Sequence, residues 1–215
     1  MSKEYNIIDA YLQYNKQFIV IVSGLSGSNK SKICQKLASK LNFKYLNTRN
    51  FIDKDKFEEV ELPNKKIVKI WNNYKWDNII SQIKENKDKG IILSTEYFPS
   101  DKQQDLFIDL HFHIKLSKQN IIKKRLEYIN SLSEEEKKEF QDEETESLLI
   151  NQTTYPYYLD ILQKSHINKF INVNEMIELE ENEYIEKVSD IILDNIINHI
   201  VEYLKNKNLD KYIIF

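Results

Sequence analysis

The sequence predicts an α/β layered fold, with a mostly parallel sheet of about five strands flanked by helices, and three observations carry this prediction. Phe18-Ile19-Val20-Ile21-Val22 is a continuous, largely β-branched apolar run without alternation, the pattern of a strand buried on both faces. Similar short apolar runs recur down the chain with amphipathic segments between them, so strands alternate with helices. The 215 residues include only three glycines, where ordinary usage of roughly 7% would give about fifteen. Two of them, Gly24 and Gly27, fall between the first strand and the helix after it.

Ile7, Ile8, Tyr11 and Leu12 repeat at helical spacing, which predicts a helix over residues 4 to 15 ahead of that strand. From Lys30 to Leu41, Ile33, Leu37 and Leu41 share one stripe with Cys34 beside it, so the thiol is expected in the core. Phe43 to Leu46 reads as a second strand and completes a βαβ unit. Residues 52 to 75 read as irregular and polar. Trp76, Ile79, Ile80 and Ile83 then mark a helical face, with Gly90 expected to end the helix and Ile91 to Ser94 forming a third strand. Leu110 to Ile114 alternates apolar residues with His111 and His113 as a fourth strand. No third ligand is spaced beside these histidines, so they read as core or sheet-edge residues in preference to a metal pair.

Ile121, Ile122, Leu126 and Ile129 form the next helix, and the acidic stretch from Ser131 to Glu146 follows it. Within that stretch Ser133 and Glu136 have capping-box spacing, which predicts a short exposed helix. Leu148 to Leu162 reads as helical around Tyr155-Pro156-Tyr157-Tyr158, Phe170 to Val173 as a fifth strand, and Ile185 to Leu204 as a long amphipathic helix. Neither an internal repeat nor a Pro/Gly/Ser linker interrupts the chain, so residues 1 to 215 are read as one domain.

Composition narrows the function classes. Hydrophobic residues at 41% with charged ones at 30% exclude global disorder. A formal charge of −3, with 31 basic residues spread along the chain, argues against nucleic acid as a partner. Cys34 is the sole cysteine, so neither an intrachain disulfide nor a cysteine-based zinc site can form. No run of about 18 apolar residues occurs, and Met1 to Gln13 carries Glu4 and Asp9. The expectation is a soluble cytoplasmic protein with no membrane partner.

The chemistry lies in Gly24-Leu25-Ser26-Gly27-Ser28-Asn29-Lys30-Ser31, which matches the phosphate-binding pattern G-x-x-x-x-G-K-[ST] except that Asn29 stands at the second glycine. That position calls for positive φ, and Asn is the residue after glycine that best tolerates it. The backbone amides of Gly24, Ser26, Gly27, Ser28 and Asn29 would surround the phosphates of ATP, Lys30 would neutralise their oxygens, and Ser31 would hold Mg2+. Mg2+ also needs an acidic partner from a neighbouring strand, for which Glu96, at the carboxyl edge of the sheet, is the candidate. The alternative for Glu96 is a solvated strand-end carboxylate.

In order along the chain, the loop, Leu46-Asn47-Thr48-Arg49-Asn50-Phe51, Trp76-Asp77, Glu96, Lys123-Lys124-Arg125 and Tyr155-Pro156-Tyr157-Tyr158-Leu159 resemble the uridine kinase and nicotinamide riboside kinase family of P-loop nucleoside kinases, from about Phe18 to Ile200. The resemblance implies a P-loop kinase fold with a helical lid, here the acidic region 131 to 147, and phosphoryl transfer from ATP to the 5′-hydroxyl of a nucleoside-like small molecule. It implies that Asp77 receives the ribose hydroxyls, that Trp76 or Tyr74 stacks on the base, and that Arg125 joins Lys30 and Glu96 in catalysis. The alternatives are a helix-dipole role for Asp77 and core packing for the aromatics. Where the family has an Asp as general base, this chain has Arg49. Asp53 or Glu96 could substitute; Arg49 could instead clamp a nucleoside monophosphate, or the chain could be a catalytically weak nucleotide-binding protein that acts through a partner. A homo-oligomer is left open.

Overall fold

A computed structural model describes residues 7 to 70 and 73 to 209, without the side chains of Gln103, Gln104 and Glu139. In chain order the elements are α1 (Ile7–Asn15), β1 (Phe18–Ser23), α2 (Lys30–Leu41), β2 (Lys44–Asn47), β3 (Glu58–Glu61), β4 (Ile67–Ile70), α3 (Trp76–Glu85), β5 (Gly90–Thr95), β6 (Leu110–Lys115), α4 (Lys118–Asn130), α5 (Glu143–Leu149), α6 (Tyr155–Lys164), β7 (Lys169–Asn172) and α7 (Glu181–Asn206). Positions 4 to 6 of the expected first helix lie outside the described residues.

The main sheet has the order β2-β5-β1-β6-β7 and every pairing in it is parallel. Its central strand explains the unbroken apolar run. Phe18, Val20 and Val22 face a core shared with α1, α2 and α7, while Ile19 and Ile21 face the opposite core against α3. Alternation disappears because both faces are buried, as the run predicts. Strand β5 repeats the arrangement, with Ile92 in the first core and Ile91 and Leu93 in the second. Cys34 is fully buried on α2, and burial pushes its thiol up to about 12.

Three details differ from the sequence reading. Residues 52 to 75 are not irregular throughout: β3 and β4 form an antiparallel hairpin, turned at Pro63-Asn64-Lys65 with Lys65 at φ 63°. Of the hairpin strands, Val68 is buried and Val60 and Ile70 are half-buried while the other five residues are exposed, so the four-residue strands carry little hydrophobic signal. Between α5 and α6 the chain forms a π-helical turn, Ile150–Thr154, instead of one continuous α-helix. Gly90 is no helix cap, since α3 ends at Glu85 and Asn86 caps it by donating its N–H to the Ile83 carbonyl. Gly90 instead opens β5 against the Phe43 ring, where a Cβ would lie 2.2 Å from ring carbons. Gly90→Ala is therefore expected to destabilise the fold by about 1–3 kcal/mol through overpacking, read as a lower urea midpoint, and Phe43→Leu in the same chain should restore most of the loss. An unchanged midpoint in Gly90→Ala would show that the ring yields freely.

Candidate active site

The loop expected to hold phosphate joins β1 to α2 at the carboxyl edge of the sheet. Gly27 has φ 89°, and a Cβ there would lie 2.9 Å from the Cβ of Lys124, so α4 and the loop meet at a glycine backbone. Asn29 adopts the left-handed conformation, φ 52° and ψ 18°, which its short polar side chain tolerates. The Ser28 hydroxyl donates to the Leu25 carbonyl at 2.8 Å, and Tyr184 of α7 donates to the Ser28 carbonyl at 3.2 Å. These contacts hold the loop open as a cradle.

Lys30 opens α2 and is only 5% exposed. Among the described residues its ammonium reaches one acceptor, the Leu25 carbonyl, at a long 3.5 Å. Burial holds it down to about 8, with Glu96 opposing that shift and Arg49 adding to it. A buried cation this poorly partnered fits a phosphate, which would supply the missing acceptors. Next in the helix, the Ser31 hydroxyl accepts a 3.4 Å hydrogen bond from the Asn47 side chain on β2.

Two cavities flank the loop. One, of about 290 Å³, is lined by Gly27, Asn29, Leu116, Lys124, Ile177 and Tyr184. The other, of about 460 Å³, has Ser26, Arg49, Glu96 and Arg125 in its wall together with Tyr74, Tyr97 and Tyr157. Tyr128 borders both.

In the larger cavity both arginines are already engaged. Arg49 donates to Glu96 at 3.2 Å and to the Ser26 hydroxyl at 3.4 Å. Arg125 donates from Nε to Glu146 Oε2 at 3.1 Å, with its guanidinium 4.9 Å from the centre of the Phe140 ring. Glu146 is almost completely buried and also accepts from the Gln141 amide at 3.2 Å. Of Lys123, Lys124 and Arg125 on α4 only Arg125 enters this cavity; Lys124 pairs with Glu127 beside the smaller one and Lys123 with Glu178. The acidic lid is partly neutralised as well. Asp142 caps α5 through the Thr145 amide and pairs with Lys66 of the hairpin, whose ammonium also reaches the Thr145 hydroxyl at 2.9 Å. Ser133 and Glu136 do form their reciprocal cap, over a short 3-10 turn.

Of the expected site residues, Gly24, Ser28, Lys30 and Ser31 of the loop line neither cavity, and three of the four expected to bind substrate also fall outside both. Asp53 pairs with Lys56 and Lys75, each at 3.6 Å. Trp76 packs edge-on against Phe98, with ring centres 5.4 Å apart, and against Tyr74. Asp77 has a side chain 91% exposed, pairs with Lys102 at 3.2 Å, and lies in the first turn of α3, where its charge complements the helix dipole. The structure thus turns Trp76 into the core and Asp77 to solvent, while Tyr74 reaches the cavity. Sequence reasoning missed Glu146, hidden in an acidic run. Its one signal is helical spacing, since Glu146 and Ile150 lie four apart and both are buried.

The model of the AAA domain family matches residues 20–149, more than half of the chain. The chain belongs to the AAA domain family. No curated protein matches this AAA domain protein. Among solved structures it is similar to a shikimate kinase from Bacteroides thetaiotaomicron, with 12% identity, 83% of this chain and 98% of that chain covered, and a TM-score of 0.50. It is also similar to an uncharacterized protein from Eubacterium ventriosum ATCC 27560, with 14% identity, 85% and 99% coverage and a TM-score of 0.52. A gluconokinase from Sinorhizobium meliloti 1021 aligns at 10% identity over 90% of this chain and 97% of that one, with a TM-score of 0.49. At these identities the likeness is one of fold: the AAA domain protein has the five-stranded parallel sheet and flanking helices of P-loop kinases.

Proposed function

We propose that the protein transfers the γ-phosphoryl group of ATP to a hydroxyl of a small molecule, the 5′-hydroxyl of a nucleoside or a related ribosyl compound. The observation that carries this reading is the placement of the phosphate loop, with its buried and almost unpartnered ammonium, between two separate cavities. Nucleotide in the smaller cavity and acceptor in the larger would meet at Lys30. Ser31 and Glu96 would hold Mg2+, which when bound would offset charge on the transferring group. Lys30 supplies a fixed positive charge there, and loop amides bind the remaining phosphate oxygens. Arg125 is held by Glu146 and Phe140 in the wall facing the loop, so its fork is already oriented.

Charge favours a neutral acceptor over a monophosphate. Each arginine in the larger cavity already has a carboxylate partner, Glu96 for Arg49 and Glu146 for Arg125, and Glu58 adds a further negative charge to the wall. A phosphate would have to displace Glu96 from Arg49 to be clamped. The aromatic faces of Tyr74, Tyr97 and Tyr157 suit a planar base. Glu96, which pairs with Arg49 and whose charge acts on Lys30, would stand in for the missing base. Transfer through a loose transition state depends more on positioning than on proton abstraction.

No helix among the described residues is long and apolar enough to cross a membrane. The test is ADP formation from ATP and Mg2+ with nucleosides, nucleoside monophosphates and shikimate as acceptors. Nucleosides alone should raise the rate. Turnover with monophosphates alone would overturn the acceptor assignment, and tight ATP binding without turnover on any acceptor would leave a nucleotide-binding protein only.

A further inference from the structure

Behind the aromatic wall of the larger cavity lies a chain of buried polar side chains that the proposed chemistry does not use. Ser23, the last residue of β1, stands between two histidines of β6. Its Oγ is 2.7 Å from His111 Nε2 and 2.8 Å from His113 Nδ1. His113 Nε2 is hydrogen-bonded to the hydroxyl of Tyr158 on α6, and His111 Nδ1 lies 2.9 Å from the His166 carbonyl. Ser23 and both histidines are at most 1% exposed and Tyr158 is 5% exposed.

The proton order in this chain is fixed by its far end. A carbonyl only accepts, so His111 carries its proton on Nδ1. Burial keeps both imidazoles neutral, so His111 Nε2 must accept, and Ser23 donates to it in preference to the Phe112 carbonyl at 3.4 Å. The Ser23 oxygen then accepts from His113 Nδ1–H, which leaves His113 Nε2 to accept the Tyr158 proton. Every donor has one acceptor, and reversing any link would require a buried imidazolium. Burial holds His113 down to about 3, so the chain does not store a proton taken from an acceptor hydroxyl.

We infer that the Ser23-His111-His113-Tyr158 chain is a positioning device that fixes the α6 wall of the acceptor cavity to β1, the strand that runs directly into the phosphate loop. Tyr158 lines that cavity, and Ser23 is the residue before Gly24. The π-helical turn Ile150–Thr154 leads directly into α6, and its residues Thr153 and Thr154 also line the cavity. The acceptor consequence rests on the kinase reading above; the clamp itself does not.

In the wild-type protein at pH 7, nitrogen NMR should show His111 and His113 neutral and both in the Nδ1–H form. An Nε2–H form or a charged ring at either one would overturn the inference. Tyr158→Phe keeps the ring and removes the last link. It should speed amide exchange across Ile150–Lys164 about tenfold while β1 and α7 stay unchanged, the size expected for one net hydrogen bond. In the enzyme assay it should raise the acceptor KM about tenfold, with kcat and ATP affinity unchanged within about twofold. Ser23→Ala should do the same, and the double variant should add nothing, as expected for one connected chain. Unchanged exchange in α6, or additive KM effects, would overturn the clamp. Absence of wild-type turnover with the tautomers and exchange pattern as described would instead overturn the kinase reading.

Discussion

Lys30→Met is expected to slow phosphoryl transfer by orders of magnitude and at the same time stabilise the protein. The ammonium is buried and its single acceptor, the Leu25 carbonyl, is 3.5 Å away. Burial holds it down to about 8, below the ordinary 10.5 of an exposed lysine. The sign follows from linkage. The folded state prefers the neutral form, so its penalty is fully present below pH 8 and is relieved as pH rises from about 8 to 10.5. That penalty is on the order of 3 kcal/mol, and replacing the ammonium with a thioether of similar length should recover part of it. Removing one preorganised charge from the phosphates should slow transfer by roughly a hundredfold to a thousandfold. Urea unfolding at pH 7 and at pH 10 tests the first half. Lys30→Met should be more stable than the wild type at pH 7, and that advantage should shrink by pH 10, a difference from which the titrations that both proteins share, of the buried Cys34 thiol and the buried tyrosines, cancel. Lower stability of the variant at pH 7 would show that the ammonium is satisfied without ligand, and unchanged turnover would remove Lys30 from the site.

This opposition of stability and function explains why the loop was the most legible part of the sequence. A buried lysine after two glycines has no packing rationale, so its pattern stands out against a chain that otherwise avoids glycine. The β1 run was equally plain, because burial on both faces leaves no polar residue to interrupt it. Legibility fails where a residue's role is decided by a distant partner. Asp77 has the local sequence of a helix start, and only the tertiary placement of α3 sends it to solvent beside Lys102. Glu146 looks like its acidic neighbours, yet Arg125 and the Gln141 amide make it an interior residue. The β3–β4 hairpin was missed because its short strands bury one residue fully and two in part. It is anchored instead through Lys66, and Asn64 donates to the Thr145 hydroxyl of the lid at 3.4 Å. The histidines of β6 were read as core residues, which they are, but nothing in their spacing could disclose that Ser23 and Tyr158 complete a chain through them.

Glu96→Gln is expected to lower turnover by roughly a hundredfold or more, and also to change which molecules the larger cavity accepts. In the folded protein Glu96 has two debts of charge to settle: it faces Arg49 at 3.2 Å, and its field raises the proton affinity of Lys30. Neutralising it removes an acidic group that would hold Mg2+ and leaves Arg49 without its carboxylate. The free guanidinium then offers a bidentate fork to any anion that enters beside Ser26. Nucleoside monophosphates, which the paired cavity disfavours, should therefore bind Glu96→Gln more tightly than the wild type. Neutral nucleosides should bind both proteins alike. Calorimetric titration of each ligand, without ATP or metal, separates this effect from the loss of chemistry. Should monophosphates already bind the wild type well, with Arg49→Ala removing that affinity, then Arg49 exchanges Glu96 for the ligand's phosphate and the acceptor is a monophosphate. If neither ligand distinguishes wild type from Glu96→Gln, the Arg49–Glu96 pair lies away from the acceptor, and the charge argument for a neutral substrate must be abandoned.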